Sequence, residues 1–394
     1  MAASTRFNIT GVQLRDYRSI ARCRVRLGRM TLLVGPNGSG KSNFVDSLRF
    51  VSQALSETLD SALRDRGGVS EVRRRSTGHP RHFTIDLSFE SESISGSYGF
   101  TIGAVRGGDY RVSHEQCNVA HLGEMPASFV ARDGQVVETS LRGPMPKLVD
   151  DRLGLVALSG FEELRPVFDG LTGMNVFNLN PETMRQLQKP DAGDLLRRDG
   201  ANVASVLDSL KRNHPNLKEI IEDYLRKIVP GIESADRASF GAWESVEFRQ
   251  RVAGSPNPWS FQATSMSDGT LRALGVLVAL FSPSAQNVLA PVAVEEPESA
   301  LHPGAAGILL DALGRASELR QVLATTHSPE LLDSESIEAE SLLAVRSLEG
   351  RTEIGRVGRA SIQAIKDRLF TPGELLRVDQ LAPDADSGQD SLFS

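Results

Sequence analysis

Residues 32–44 read LLVGPNGSGKSNF, and within them Gly35, Pro36, Asn37, Gly38, Ser39, Gly40, Lys41 and Ser42 fit the spacing GxxxxGK[ST]. Glycines at those positions let backbone N–H groups curl around phosphate oxygens, and a following helix adds its positive end. Lys41 would neutralise the β- and γ-oxygens of a nucleotide and the Ser42 hydroxyl would ligate Mg²⁺, with Asn43 just inside the helix. Far downstream, residues 292–303 read VAVEEPESALHP, an apolar run ending in two adjacent glutamates. A buried carboxylate needs a partner or a task. A Mg²⁺–ATP site supplies two tasks, a metal ligand and a base for the attacking water. Glu295 is the expected metal ligand, through water, and Glu296 the expected base. Alone, the pair would read as a solvated acidic loop after a strand; the phosphate loop changes that reading.

Two further stretches carry chemistry. SMSDGTLRALGVLVAL (265–280) puts Ser267, Asp268 and Gly269 at the start of an apolar helix, a second anion-binding terminus. That terminus is redundant unless it serves a different nucleotide. QVLATTHSPELLD (321–333) ends a strand with His327, placed to reach a γ-phosphate or the attacking water.

In that order, GPNGSGKS, SMSDGTLR, VAVEEPESALHP and TTHSPELLD resemble the Walker A, signature, Walker B/D-loop and switch-histidine motifs of ABC-type ATPases. The opening LRDYRSI and the wording EEPE…LHP…THSPELL are similar to the RecF/SMC/OLD branch, over about 1–60 and 262–345. NLNPETMRQLQ also resembles stand-alone AAA-type ATPases of bacterial defence operons. The resemblance implies a homodimer sandwiching two ATP, in which Ser267 and Gly269 reach the partner's γ-phosphate. It places Ser299 and His302 in a D-loop at the dimer interface and Arg18 near the phosphates. Gln53 is a weak candidate for the Q-loop. Two departures stand out. Glu295 replaces the commoner Asp, and Asp268 stands where many relatives have Gly, which bears on turnover more than on binding.

The elements that must position these groups are legible in part. FNITGVQLRDYRSIARCRVRLGRMTLLVG (7–35) predicts two or three strands ending in a buried one over 30–34, and Phe44, Leu48, Val51 and Leu55 share a helix face. Phe83, Ile85, Leu87 and Phe89 alternate as in a half-buried strand, and further strands are expected near 111–119 and 135–141. Residues 181–229 turn helical. A strand over 288–294, a helix over 304–318 and a strand over 321–326 follow, as in a parallel α/β core. LLAVRSLEGRTEI (342–354) predicts a hairpin turning at Glu349-Gly350.

The expected fold is therefore α/β: a P-loop NTPase with an ABC-type head, a mixed sheet plus an antiparallel β subdomain, and a helical lobe. Its expected segments are an ATP-binding lobe (1–165), a helical insertion (166–262), a signature, Walker B and switch-His lobe (263–345), and a C-terminal hairpin or helix with a disordered acidic tail (346–394). The chain has 394 residues and a net charge of −6, which argues against a surface coated for nucleic acid. No stretch suits a membrane span or a secretory signal, and Cys23 and Cys117 form no CxxC, so a reducing cytoplasm is expected. Arg73, Arg74 and Arg75 form a basic run, leaving DNA as a candidate partner, although the chain is only 6% aromatic and offers few stacking platforms. Residues 337–394 are too few for a nuclease domain, and the Asp384/Asp386 pair lies in a Pro/Gly/Ser-rich tail. An effector or nuclease is thus expected in a partner protein.

Overall fold

The computed structural model describes residues 5–76, 78, 80–105, 107–123, 125–283, 288–334 and 337–384. Asp386 and the rest of the acidic tail lie outside them. The strands are β1 (Thr5–Tyr17), β2 (Ile20–Arg26), β3 (Met30–Val34), β4 (His82–Ser91), β5 (Ile94–Ala104), β6 (Tyr110–His121), β7 (Ala127–Arg132) and β8 (Gln135–Thr139). They continue as β9 (Asn175–Phe177), β10 (Ile232–Phe240), β11 (Trp243–Gln250), β12 (Trp259–Gln262), β13 (Val288–Leu289), β14 (Val292–Glu295), β15 (Val322–Thr326), β16 (Leu342–Leu348) and β17 (Arg351–Arg356).

One long mixed sheet runs β8-β7-β6-β5-β4-β1-β2-β17-β16-β3-β15-β14-β9. Its first seven strands pair antiparallel, whereas β16, β3, β15, β14 and β9 form a parallel block. The block's strands read as near-continuous apolar runs because both faces are covered. Leu33, Leu323 and Ala293 point into one core with the helix Lys41–Ser56. Leu32, Val34, Val322, Ala324, Val292 and Val294 point into the other, with the helices Asp268–Phe281 and Ala306–Leu319. Buried Gln321 pins the junction: its amide bonds both the N–H and the carbonyl of Ile9 and also reaches the Gly28 carbonyl.

Three local features refine the sequence reading. The strand expected over 288–294 is split. Pro291 has no N–H to give a ladder, so Val288–Leu289 pairs with β1 while Val292–Glu295 enters the parallel block. The helical stretch, Pro181–Arg185, Val203–Asn213 and Pro215–Ile228, is followed by an antiparallel meander, β10-β11-β12, that the periodicity of 181–229 does not announce. The turn between β16 and β17 has Glu349 and Gly350 both at positive φ, 49° and 74°, the backbone of a two-residue hairpin loop.

The Arg73–75 run is drawn against the end of β1. Tyr17 bridges to Arg73, and the Arg74 N–H donates to the Asp16 carbonyl at 2.7 Å. The Arg73 guanidinium donates to the Pro80 carbonyl, and Arg75 pairs with Glu71 four residues earlier. Gln53, the weak Q-loop candidate, is buried and bonded to Arg66 and Asp65.

Candidate functional site

The loop Gly35–Gly40 leaves the end of β3 and enters the helix Lys41–Ser56. Close approach of β16 and β17 dictates two of its glycines. A Cβ on Gly35 would lie 2.0 Å from the Val345 carbonyl oxygen, and one on Gly40 would lie 2.1 Å from Thr352 Oγ1. Gly40 is also left-handed, with φ 105°, which a side chain rarely tolerates. Thr352 Oγ1 donates to the Ser39 carbonyl at 2.9 Å and lies 2.7 Å from Ser19 Oγ, which in turn accepts from Asn43. The loop is thus fixed from behind. Lys41 Nζ donates to the carbonyls of Gly35 (2.8 Å) and Pro36 (3.0 Å), and the buried Ser39 hydroxyl has no hydrogen-bond partner among the described residues. Burial holds the Lys41 ammonium below its ordinary pKa, opposed by the nearby carboxylates of Glu296 and Glu298.

Glu295 ends β14, and Glu296 follows with φ 44°, an uncommon backbone for a non-glycine residue. The Glu296 N–H is held by both the carbonyl and the hydroxyl of Thr325, each at 3.1 Å. Its carboxylate lies 3.3 Å from His327 Nδ1 and accepts from Ser299 Oγ at 3.4 Å. Glu295 pairs with Arg198 at 3.1 Å. Strand β15 separates β3 from β14, and Val34 faces Thr326 while Glu295 faces Thr325. Phosphate loop and acidic pair therefore open at the same sheet end, two strand spacings or roughly 10 Å apart. The donor set there, a serine hydroxyl and carboxylates, is the hard-oxygen chemistry that Mg²⁺ prefers.

The other expected residues sit on separate segments of the chain. Ser267 caps the helix Asp268–Phe281, accepting from the Thr270 N–H at 3.2 Å, and Asp268 pairs with Arg185. Ser267 and Asp268 are exposed while the helix body is buried, so the terminus faces outward. Gly269 packs on the segment after Glu296: a Cβ there would lie 2.5 Å from the Ala300 carbonyl oxygen. His302 is exposed and accepts from the Gly304 N–H at 3.0 Å. Arg18, also at positive φ, lies 3.0 Å from Asp46 on the flank of the phosphate-loop helix, so contacting phosphate would require it to leave that carboxylate.

Several neighbours escape motif reading. Glu298 accepts from Thr326 Oγ1 at 2.5 Å, and burial pushes its carboxyl above the usual range. Arg198 and Thr352 belong to no motif. Arg272 had one signal, a charge inside an otherwise apolar helix.

A family model described as "AAA domain, putative AbiEii toxin, Type IV TA system" matches residues 30–113 and 190–333. A comparison with curated proteins found no match. Among solved structures, the chain is similar to the Smc head bound to the C-winged helix domain of ScpA, with TM-score 0.55 and 14% identity over 88% of this chain and 96% of that one. It is also similar to the Smc head domain with an extended coiled coil bound to the C-terminal domain of ScpA derived from Pyrococcus furiosus, with TM-score 0.54 and 12% identity over 92% and 99%. At such identities the likeness is one of fold, that of an SMC head domain.

Proposed function

Because the chain belongs to the AAA-domain family whose model it matches, and folds as an SMC head, we propose that it binds ATP with Mg²⁺ and hydrolyses it between two copies of itself. One observation carries the reading most: the Gly35–Ser42 cradle and the Glu295–Glu296 pair open side by side, close enough for Glu296 to act on the Lys41 ammonium. Backbone N–H groups of the cradle and Lys41 bind the β- and γ-phosphates. Ser42 and Glu295 would hold the metal, which supplies charge neutralisation at those oxygens. Among the described residues no group of three or more His, Cys, Asp or Glu is placed to hold an ion, so phosphate and water would complete its shell.

Glu296 orients the attacking water and accepts its proton, aimed by Thr325 and by His327. Ser267 and Gly269 of the second copy close on the γ-phosphate, with Ser299 and His302 at the contact between copies. Arg18 supplies further positive charge if it leaves Asp46. Changing Glu296→Gln should lower kcat by about 10²–10⁴-fold while ATP affinity is kept. Steady-state turnover with a binding titration checks this, and equal turnover in the variant contradicts it.

A second reading, a nucleotide-gated scaffold with slow turnover, is favoured by one feature. The expected metal carboxylate and the expected signature acid are each already paired, with Arg198 and Arg185. Tight ATP binding with negligible wild-type turnover would select it.

In either reading the closed dimer would gate a DNA-related process, antiphage defence or genome maintenance, through an effector or nuclease partner in trans. The type IV toxin–antitoxin description of the family, and the ScpA domains bound to the similar Smc heads, support a partner-dependent role. DNA remains a candidate ligand for such an assembly. No helix among the described residues is long and apolar enough to cross a membrane.

A further inference from the structure

Arg272 sits one turn into the helix Asp268–Phe281, with apolar residues on either side, and is 8% exposed. Burying a guanidinium there is costly unless its protons are used. Its Nη2 donates to the carbonyls of both Glu295 and Glu296, each at 2.9 Å, and its Nη1 donates to the carbonyl of Leu179. Those acceptors lie at or just past the ends of two neighbouring strands, β14 and β9. Burial lowers the Arg272 pKa, and the carboxylates of Glu296, Glu298 and Glu295 oppose that shift.

The carbonyl of Glu296 matters because of where its backbone sits. A non-glycine residue at positive φ is strained and persists only when its surroundings over-determine it. Thr325 holds the Glu296 amide and Arg272 holds its carbonyl, so the left-handed turn that aims the carboxylate is clamped from both sides. Three residues before Arg272, Gly269 packs against Ala300 with no room for a Cβ. The helix start and the Glu296–Leu301 segment are therefore joined at two points.

We propose that Arg272 is a positioning residue: it ties the outward-facing start of the helix at Ser267 to the backbone of Glu296 in the same chain, so that engagement of the helix start by a partner copy's nucleotide sets the aim of the carboxylate. This deepens the ATPase reading and rests on it.

The test uses the full chain as Arg272→Gln and Arg272→Lys, since lysine can reach one carbonyl but cannot fork across two. A titration with a fluorescent ATP analogue reports cradle binding, and steady-state turnover reports kcat. The expected result is analogue affinity within about twofold of wild type and kcat down roughly 10- to 100-fold in Arg272→Gln, with partial recovery in Arg272→Lys. If Arg272→Gln fails to fold, Arg272→Lys carries the test by the same split, lower kcat at unchanged affinity.

Mixing Arg272→Gln with Ser267→Arg chains locates the effect. Ser267→Arg removes the helix start from one site of a mixed dimer and, in its own chain, the engagement that aims Glu296 at the other, so neither site is whole and turnover stays within the range of the two parent variants. Wild-type kcat in both Arg272 variants, or mixed dimers that recover about a quarter of wild-type turnover, overturns the inference. A wild-type chain that fails to bind the analogue overturns the ATPase reading itself, and the titration separates that outcome from the others.

Discussion

Asp46, on the flank of the phosphate-loop helix, is the carboxylate that several cations share. Arg66 forks onto it with contacts of 2.9–3.1 Å, Arg18 approaches to 3.0 Å, and the Tyr17 hydroxyl donates at 2.8 Å. Burial alone would raise its pKa, but the Arg66 hydrogen bonds and charge, with Arg18, hold it below the ordinary aspartate value. A carboxyl whose folded pKa is depressed adds stability that is fully present above its unfolded pKa, and loses it as pH falls through the folded one. Arg66 has a side chain only 1% exposed, so removing the charge strands a buried cation. Asp46→Asn should therefore cost about 3 kcal/mol at neutral pH. It should also flatten the stability loss below about pH 4. Denaturant unfolding across pH checks both, and a variant with wild-type stability at neutral pH would contradict this account.

Between elements, the tether to watch is Arg198 on Glu295. It links the segment leading into the helix Val203–Asn213 to the end of β14, and it occupies the carboxylate assigned to the metal. The pair is partly exposed, worth on the order of 1 kcal/mol. Arg198→Gln should therefore lower the Mg²⁺ concentration needed for half-maximal binding of a fluorescent ATP analogue by roughly fivefold. An unchanged or higher Mg²⁺ requirement would show that the pair does not compete with the metal.

At the same scale, the sequence made the parallel block readable because each functional group sits at an apolar strand's end or a helix's start. Val34, Glu295 and Thr326 mark their strand ends, and Ser267 caps its helix. What stayed hidden depends on contacts far apart in the chain. Arg198 meets Glu295 across 97 positions and Arg272 meets Leu179 across 93. Arg18 resembled a phosphate contact by its motif, but its pairing with Asp46 is set by how the β1–β2 turn folds onto the helix. The meander at 232–262 lies in the stretch assigned to a helical lobe, and its strands carry several exposed side chains, including Trp243 and Trp259, which weakens an alternating signal.

For the whole molecule, the outward-facing terminus at Ser267 is the feature that one chain leaves unused. Its described hydrogen bonds run to Thr270, with Asp268 paired to Arg185, and none reaches the Gly35–Ser42 cradle. A C2 assembly would bring each terminus to the other chain's cradle, because a two-fold axis pairs patch A with B and B with A. The most direct measurement is the mass in solution of the Glu296→Gln chain with and without Mg²⁺–ATP, compared with the same chain carrying Ser267→Arg. The account predicts a dimer with nucleotide, a monomer without it, and a monomer in both conditions once Ser267 is changed. A Glu296→Gln chain that stays monomeric with saturating Mg²⁺–ATP, or a dimer indifferent to Ser267→Arg, would contradict it.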